Sequence, residues 1–283
     1  MRALVIVPTY NERENIPLLI PRILAQADCY DILVVDDNSP DGTGRLAAEW
    51  AARSPRVHVI RRPGKLGLGT AYVAGFKFAL AHGYDVAFEM DADFSHDPAD
   101  LPRLLHAVEH ADVAIGSRWA PGGGTVNWSL LRMAISRGGS LYAGALLGLP
   151  IRDLTSGFKC FRRRVLAGLD LDAITSNGYG FQAEVNHLCH CLGFHITEVP
   201  ILFTDRTAGT SKMSSRIVFE AARVVWQLRG TRPAGTSVEP VIAARRPVRA
   251  DPTDAPIRVT AGPPASPRLE RSGVLAATLE RDA

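Results

Sequence analysis

The stretch Ala3-Leu-Val-Ile-Val-Pro-Thr-Tyr-Asn-Glu12 decides the reading of this chain. Five apolar residues run straight into a proline-led polar turn, which is the length and punctuation of a buried strand rather than of a helix. Asn11 followed by Glu14 resembles a capping box, and Ile16, Leu19, Ile20, Ile23 and Leu24 then share one helical face. Strand, polar loop and amphipathic helix form the opening unit, and the rhythm repeats. Residues 32–36, 57–61, 86–91 and 113–116 read as further strands separated by helical stretches. Such alternation predicts an α/β fold: a doubly wound, mostly parallel central sheet with flanking helices.

Composition bounds the function. With 283 residues, 46% hydrophobic and 22% charged, the chain can bury a large core. A net charge of +3 without a massed basic run argues against a nucleic-acid binder. Four irregularly spaced cysteines make no disulfide framework, and no signal peptide precedes the first strand, so the cytoplasm is the expected compartment. No window reaches the about 18 consecutive apolar residues that span a bilayer, so membrane contact is expected to be peripheral. Residues 231–283 carry eight prolines and eight arginines but no lysine or aromatic residue, which predicts a disordered tail after a catalytic domain over residues 1–230.

In an open α/β sheet, ligands bind beyond the carboxyl ends of the strands. Three polar segments fall there: Pro8-Thr-Tyr-Asn-Glu12, Asp36-Asp-Asn-Ser-Pro-Asp-Gly42 and Asp91-Ala-Asp93. Asp91 and Asp93 suit two carboxylates approaching one hard divalent cation, although a solvated turn would look the same. Asp36 and Asp37 could accept from a ribose or base edge while Tyr10 offers a stacking face; turn chemistry with Ser39 or Asp41 capping the next helix is the plainer alternative. Lys65-Leu-Gly-Leu-Gly69 lacks the phosphate-loop spacing and reads as a loop shaping the cleft. His187, Cys191 and His195 fall at helical spacing, but three ligands on one helix cannot surround a tetrahedral zinc unaided.

Taken together, Val7-Pro-Thr-Tyr-Asn-Glu-Arg-Glu-Asn15, Val34-Val-Asp-Asp-Asn-Ser-Pro-Asp-Gly-Thr43, Leu66-Gly-Leu-Gly-Thr-Ala-Tyr72, Met90-Asp-Ala-Asp-Phe-Ser-His96, Gly116-Ser-Arg118, Ile135-Ser-Arg-Gly138 and Asp153-Leu-Thr-Ser-Gly-Phe158 resemble the dolichol-phosphate and polyprenol-phosphate mannose synthases. The match runs in order over residues 3–213. It implies a Rossmann-like GT-A fold, a GDP-mannose donor, Mg²⁺ or Mn²⁺, a polyprenyl phosphate acceptor and inversion at the anomeric carbon. By motif, Pro8, Tyr10, Glu12, Val35 and Asp37 would hold the nucleotide. Asp91, Ala92 and Asp93 would hold metal and diphosphate, with Ser95 standing where some relatives place a metal-assisting glutamine. Arg118, Arg132 and Ser136 would touch the lipid phosphate, and Arg206 and Lys212 would clamp the donor.

The acceptor chemistry is consistent with this set. A phosphate monoester, with its second pKa near about 6, arrives largely ionised and needs cations rather than a general base. Arginine forks suit that task, whereas Arg137, set among apolar residues, reads as a side chain snorkelling to water. Residues 214–230 form an amphipathic pattern, with Arg216, Glu220, Arg223 and Gln227 on the polar face, that fits either a lipid surface or the catalytic core. Residues 130–149 carry the same ambiguity. An integral-membrane partner would be a second way to meet the lipid. Two rivals stay open: a polyprenyl-phosphate glucosyltransferase using UDP-glucose, and a catalytically silent binding protein of the same fold.

Overall fold

The computed structural model describes residues 1–176, 178–205 and 215–230, with backbone alone at residues 179 and 215–221. The chain divides into two units, Met1–Pro240 and Val241–Ala283, and every described residue belongs to the first. The expected tail at 231–283 lies outside the described residues.

The first half alternates strictly: β1 (Ala3–Thr9), α1 (Ile16–Leu24), β2 (Tyr30–Asp36), α2 (Thr43–Arg53), β3 (Val57–Arg61), α3 (Leu68–Ala81), β4 (Val86–Glu89), α4 (Leu101–Ala107) and β5 (Val113–Ser117). The second half adds β6 (Gly124–Val126), α5 (Leu130–Leu147), β7 (Lys159–Arg162), α6 (Arg163–Gly168), α7 (Gly178–Cys191), β8 (Ile196–Pro200), β9 (Leu202–Thr204) and α8 (Ser215–Leu228). The central sheet runs β3-β2-β1-β4-β7-β5-β8, parallel except for β7, and β6 pairs with β9 in a separate two-stranded sheet.

Strand order reverses between β1 and β4, so the loops after those two strands border the crevice in which such sheets take ligands. Helices cover both faces, and two apolar clusters fill the spaces between. Ile16, Leu19, Ile20 and Ile23 are buried, as their spacing predicts.

The capping box does not form. Asn11 adopts φ 61°, Asn15 is the N-cap residue, and its side chain makes no capping bond. The loop is held instead from the neighbouring one: Asn11, Glu12 and Arg13 donate their backbone N–H groups to Ser39 Oγ, Thr43 Oγ1 and Asp41 Oδ2. A cross-loop side-chain frame has displaced the local motif, because it satisfies three donors where the box would satisfy two.

Candidate active site

The rim starts from β1 and β2. Pro8 and Val35 sit opposite each other in the ladder, and Val35, held between β1 and β3, is fully buried, so it supports the rim from beneath. Asp36 is also fully buried and accepts from Thr9 Oγ1 at 3.1 Å and Ser39 Oγ at 2.6 Å, which makes it a strut between the two loops. Asp37 binds Arg62 and accepts the backbone N–H groups of Leu66 and Gly67 at 3.1 and 3.3 Å. The glycine-rich loop is thus folded onto a carboxylate, with its amides turned inward. Gly67 takes φ 101°, and a Cβ on Gly69 would fall 2.5 Å from the Ser176 carbonyl oxygen, so both glycines answer to packing. Lys65 reaches over the Tyr10 ring, 4.1 Å from its centroid.

The second part follows β4. Asp91 and Asp93 lie on one short turn, with Ala92 buried between them and Phe94 at φ 60°. Tyr72 donates to Asp91 Oδ1 at 3.3 Å; burial pushes its phenol well above the usual value, so it remains a donor. Ser95, expected as a metal ligand, donates its hydroxyl to Asp93 Oδ1 at 2.6 Å and also its backbone N–H at 3.1 Å. His96 Nδ1 accepts the Asp91 N–H at 3.1 Å. Burial pulls its pKa down to about 4, against the nearby Asp93, which keeps the ring neutral and able to accept. The ring stacks on Phe158 and meets Phe203 edge-on. The sequence named Ser95 as a metal-site candidate, but it did not disclose that Tyr72, Ser95 and His96 act by supporting the two aspartates.

Arg118 leaves the end of β5 and is buried against Asp153. Its Nε and Nη2 donate to the two carboxylate oxygens at 2.7 and 2.6 Å, its backbone N–H donates at 2.9 Å, and Nη2 also reaches Thr155 Oγ1 at 2.7 Å. The segment Asp153-Leu-Thr-Ser-Gly157 thus ties down Arg118 through Asp153 and Thr155, and its Leu154 and Thr155 also line a cavity beside it. Arg132, in the first turn of α5, pairs with Asp205 at 2.6 Å. The cavity beside Arg118 measures about 390 Å³ and is lined by Arg118, Trp128, Ser136, Thr155 and a long apolar wall from α5, α7 and α8 that includes Ile135, Tyr142, Ala183 and Val225; Arg132 is not in this lining but packs on the ring of Trp128, which is. The structure thus brings Arg118 and Ser136 to one cavity. Arg206 and Lys212 lie outside the described residues.

Beneath the rim, Glu89 and Lys159 face each other across β4 and β7, both fully buried. Gln182 of α7 bridges them: its Nε2 donates to Glu89 Oε2 at 2.8 Å, and its Oε1 accepts from Lys159. Burial raises the Glu89 carboxyl to about 7 against the pull of Lys159, and burial lowers Lys159 against the pull of Glu89. Removing one member strands the other's charge. Lys159→Met is therefore expected to cost about 3–5 kcal/mol in urea unfolding. In that variant the downward pull of Lys159 is gone, so Glu89 binds its proton still more tightly folded than unfolded; stability is greatest below the ordinary carboxyl range, falls as pH rises through and above that range, and levels off once the folded Glu89 has ionised. A flat pH profile would show that Glu89 is not the stranded group.

The zinc alternative fails on geometry. Helix α7 ends at Cys191, and His195 lies beyond it with its ring Nδ1 on the His110 carbonyl oxygen, so the three residues do not share a helix. Among the described residues no three His, Cys, Asp or Glu side chains converge on a metal position.

Comparison with known proteins agrees with this architecture. The profile of glycosyl transferase family 2 matches residues 4–169. The chain is 53% identical over 221 residues to the undecaprenyl-phosphate mannosyltransferase of Micrococcus luteus, covering 78% of this chain and 91% of that one. It is 51% identical over 233 residues to the polyprenol monophosphomannose synthase of Mycolicibacterium smegmatis, covering 81% and 88%. Among solved structures, glucosyl-3-phosphoglycerate synthase from Mycobacterium tuberculosis, in complex with Mn²⁺, UDP and glucosyl-3-phosphoglycerate, superposes with TM-score 0.59 at 19% identity over 83% of this chain and 81% of that one, a likeness of fold. With a profile match over more than half its length and two relatives above 50% identity, the chain belongs to glycosyl transferase family 2.

Proposed function

We propose that this glycosyltransferase moves mannose from GDP-mannose to a polyprenyl phosphate, giving polyprenyl-phosphate mannose with inversion at the anomeric carbon. The observation that carries the reading is the apolar cavity with Arg118 and Ser136 in its wall, a shape suited to an isoprenoid chain that ends in a phosphate. The relatives named for mannose transfer to undecaprenyl or polyprenol phosphate support it.

In this reading the nucleotide lies along the β1 and β2 loops against Pro8, Tyr10, Glu12 and Asp37, with Val35 beneath them and Arg206 and Lys212 as the further residues assigned to the donor. The diphosphate meets Asp91, Ala92 and Asp93. Mg²⁺ or Mn²⁺ fits there: two hard carboxylate oxygens stand on one turn, and a hydrogen-bonded collar of Tyr72 and Ser95 holds them. When bound, such an ion offsets charge developing on the departing nucleotide. Ser95 acts through Asp93, orienting its carboxylate.

The acceptor phosphate approaches Arg118, Arg132 and Ser136. The Nε and Nη2 edge of Arg118 is committed to Asp153, so the phosphate meets this guanidinium as a fixed, partly neutralised charge. Arg132 shares its charge with the half-exposed Asp205 and exchanges more readily. These cations hold one phosphate oxygen in line behind the sugar, which is catalysis by position and field. The acceptor arrives ionised, and the chain need supply no base.

The lipid is met at a surface. Leu130 and Leu131 at the start of α5, Leu141 further along it, and Trp226 on α8 are exposed beside the cavity, and among the described residues no helix is long and apolar enough to cross a membrane. We place the enzyme peripherally on the cytoplasmic face of the membrane, with an integral-membrane partner as a further aid. The catalytic domain ends near Gly230, so a chain truncated there is expected to keep its transfer rate in detergent. A collapse of activity would give residues 231–283 a direct part.

The test incubates the chain with Mg²⁺, a polyprenyl phosphate and labelled GDP-mannose or UDP-glucose, and counts label extracted into organic solvent. Label from GDP-mannose alone is expected. Label only from UDP-glucose would replace the donor, and label from neither would overturn the reading.

A further inference from the structure

The loop between β6 and α5 places an indole where two arginines meet. Asn127 turns the chain at φ 63°, Ser129 caps α5 by accepting the Arg132 N–H, and Trp128 between them is directed into the wall of the cavity. The Arg132 guanidinium lies 4.1 Å from the Trp128 ring centroid, and that of Arg118 lies 5.3 Å from it. Phe203 of β9 closes the arrangement, edge-on to Trp128 at 5.2 Å and 5.3 Å from the Arg118 guanidinium.

Arg118 lines the cavity and Arg132 packs on the Trp128 ring in its wall, so the two guanidiniums share one aromatic neighbour while each keeps its own carboxylate, Asp153 or Asp205. An indole face is the strongest aromatic partner for a cation. An aliphatic side chain of similar bulk would fill the space but supply no attraction.

We infer that Trp128 is a positioning residue for the acceptor phosphate: its ring holds Arg118 and Arg132 in register, so that both face the phosphate end of the cavity. This rests on the acceptor reading given above. Trp128 does not touch the reacting atoms. It acts through the two arginines, and its contribution therefore appears in recognition of the phosphate group and not of the isoprenoid chain.

The experiment compares binding of farnesyl phosphate and farnesol by calorimetry in the full-length wild-type chain, Trp128→Leu and Trp128→Phe, alongside steady-state transfer to farnesyl phosphate. In the wild type the phosphate should strengthen binding. Trp128→Leu is expected to lose about tenfold of that increment, with farnesol affinity unchanged; the acceptor KM should rise by the same factor, while donor KM and kcat at saturating acceptor stay near wild type. Trp128→Phe, which keeps a π face, should recover most of the loss. Equal weakening toward farnesol and farnesyl phosphate would show that the ring serves the lipid chain and would overturn the proposal. An unchanged increment in Trp128→Leu would overturn it as well. Should Trp128→Leu not fold, the increment in Trp128→Phe decides: retained supports the proposal, and lost overturns it. A wild-type chain that binds both ligands equally would instead remove the acceptor reading itself, and the proposal with it.

Discussion

In Asp91→Asn and Asp93→Asn variants, transfer from the nucleotide sugar is expected to fall by at least about a thousandfold while the fold survives. The amide keeps the shape of each side chain, so Tyr72 retains an acceptor at position 91 and Ser95 one at position 93. What disappears is the negative charge that would face the cation and, through it, the diphosphate. Activity at saturating Mg²⁺, read beside circular dichroism and thermal melting, separates a dead site from an unfolded chain. Full transfer in both variants would end the assignment of a metal-binding pair. A loss in Asp93→Asn accompanied by a lower melting temperature would show that the Ser95 contact supports the turn as well.

Asp153→Ala is expected to destabilise the fold as strongly as Lys159→Met. Asp153 is fully buried, Arg118 nearly so, and three hydrogen bonds join them, two from the guanidinium and one from the Arg118 backbone. Deleting the carboxylate leaves a guanidinium out of water without a counter-ion, which costs about 3–5 kcal/mol. For a domain of this size that is a fall of roughly 10 °C in Tm. Replacing both partners, as in Arg118→Met with Asp153→Leu, should return much of the stability, because burying two apolar side chains avoids the desolvation of two charges. Transfer should not return, since the acceptor cavity then lacks its buried cation. If activity recovered together with stability, the pair would be a structural tie and Arg118 would have no part in acceptor binding.

These expectations sort the residues by how they could be found. Asp91 and Asp93 were legible because a carboxylate pair directly after an apolar run is a local pattern, and the sheet rule says which end of the strand faces ligand. Arg118 was legible in the same way, as the first cation after β5. Its partner was not, since Asp153 lies 35 residues further along in a segment with no regular periodicity. The antiparallel strand β7 was missed because Lys159-Cys-Phe-Arg162 is short and starts with a lysine, which any hydrophobic pattern assigns to solvent; only the facing Glu89 makes that burial tolerable. The capping box was misread for the opposite reason: the local match was real, but three donors found better partners on the neighbouring loop.

By itself the sequence determined the alternation of strands and helices, the buried face of α1 and the polar segments at the carboxyl rim, all properties carried by neighbours within about ten residues. Only the tertiary structure decided that Asp36 and Asp37 serve as struts of the rim, that His96 supports the Asp91 backbone, and that the Trp128 ring meets two arginines. Each of those depends on a crossover that brings distant loops together, and on burial that turns a surface charge into one requiring a partner; periodicity along the chain records neither.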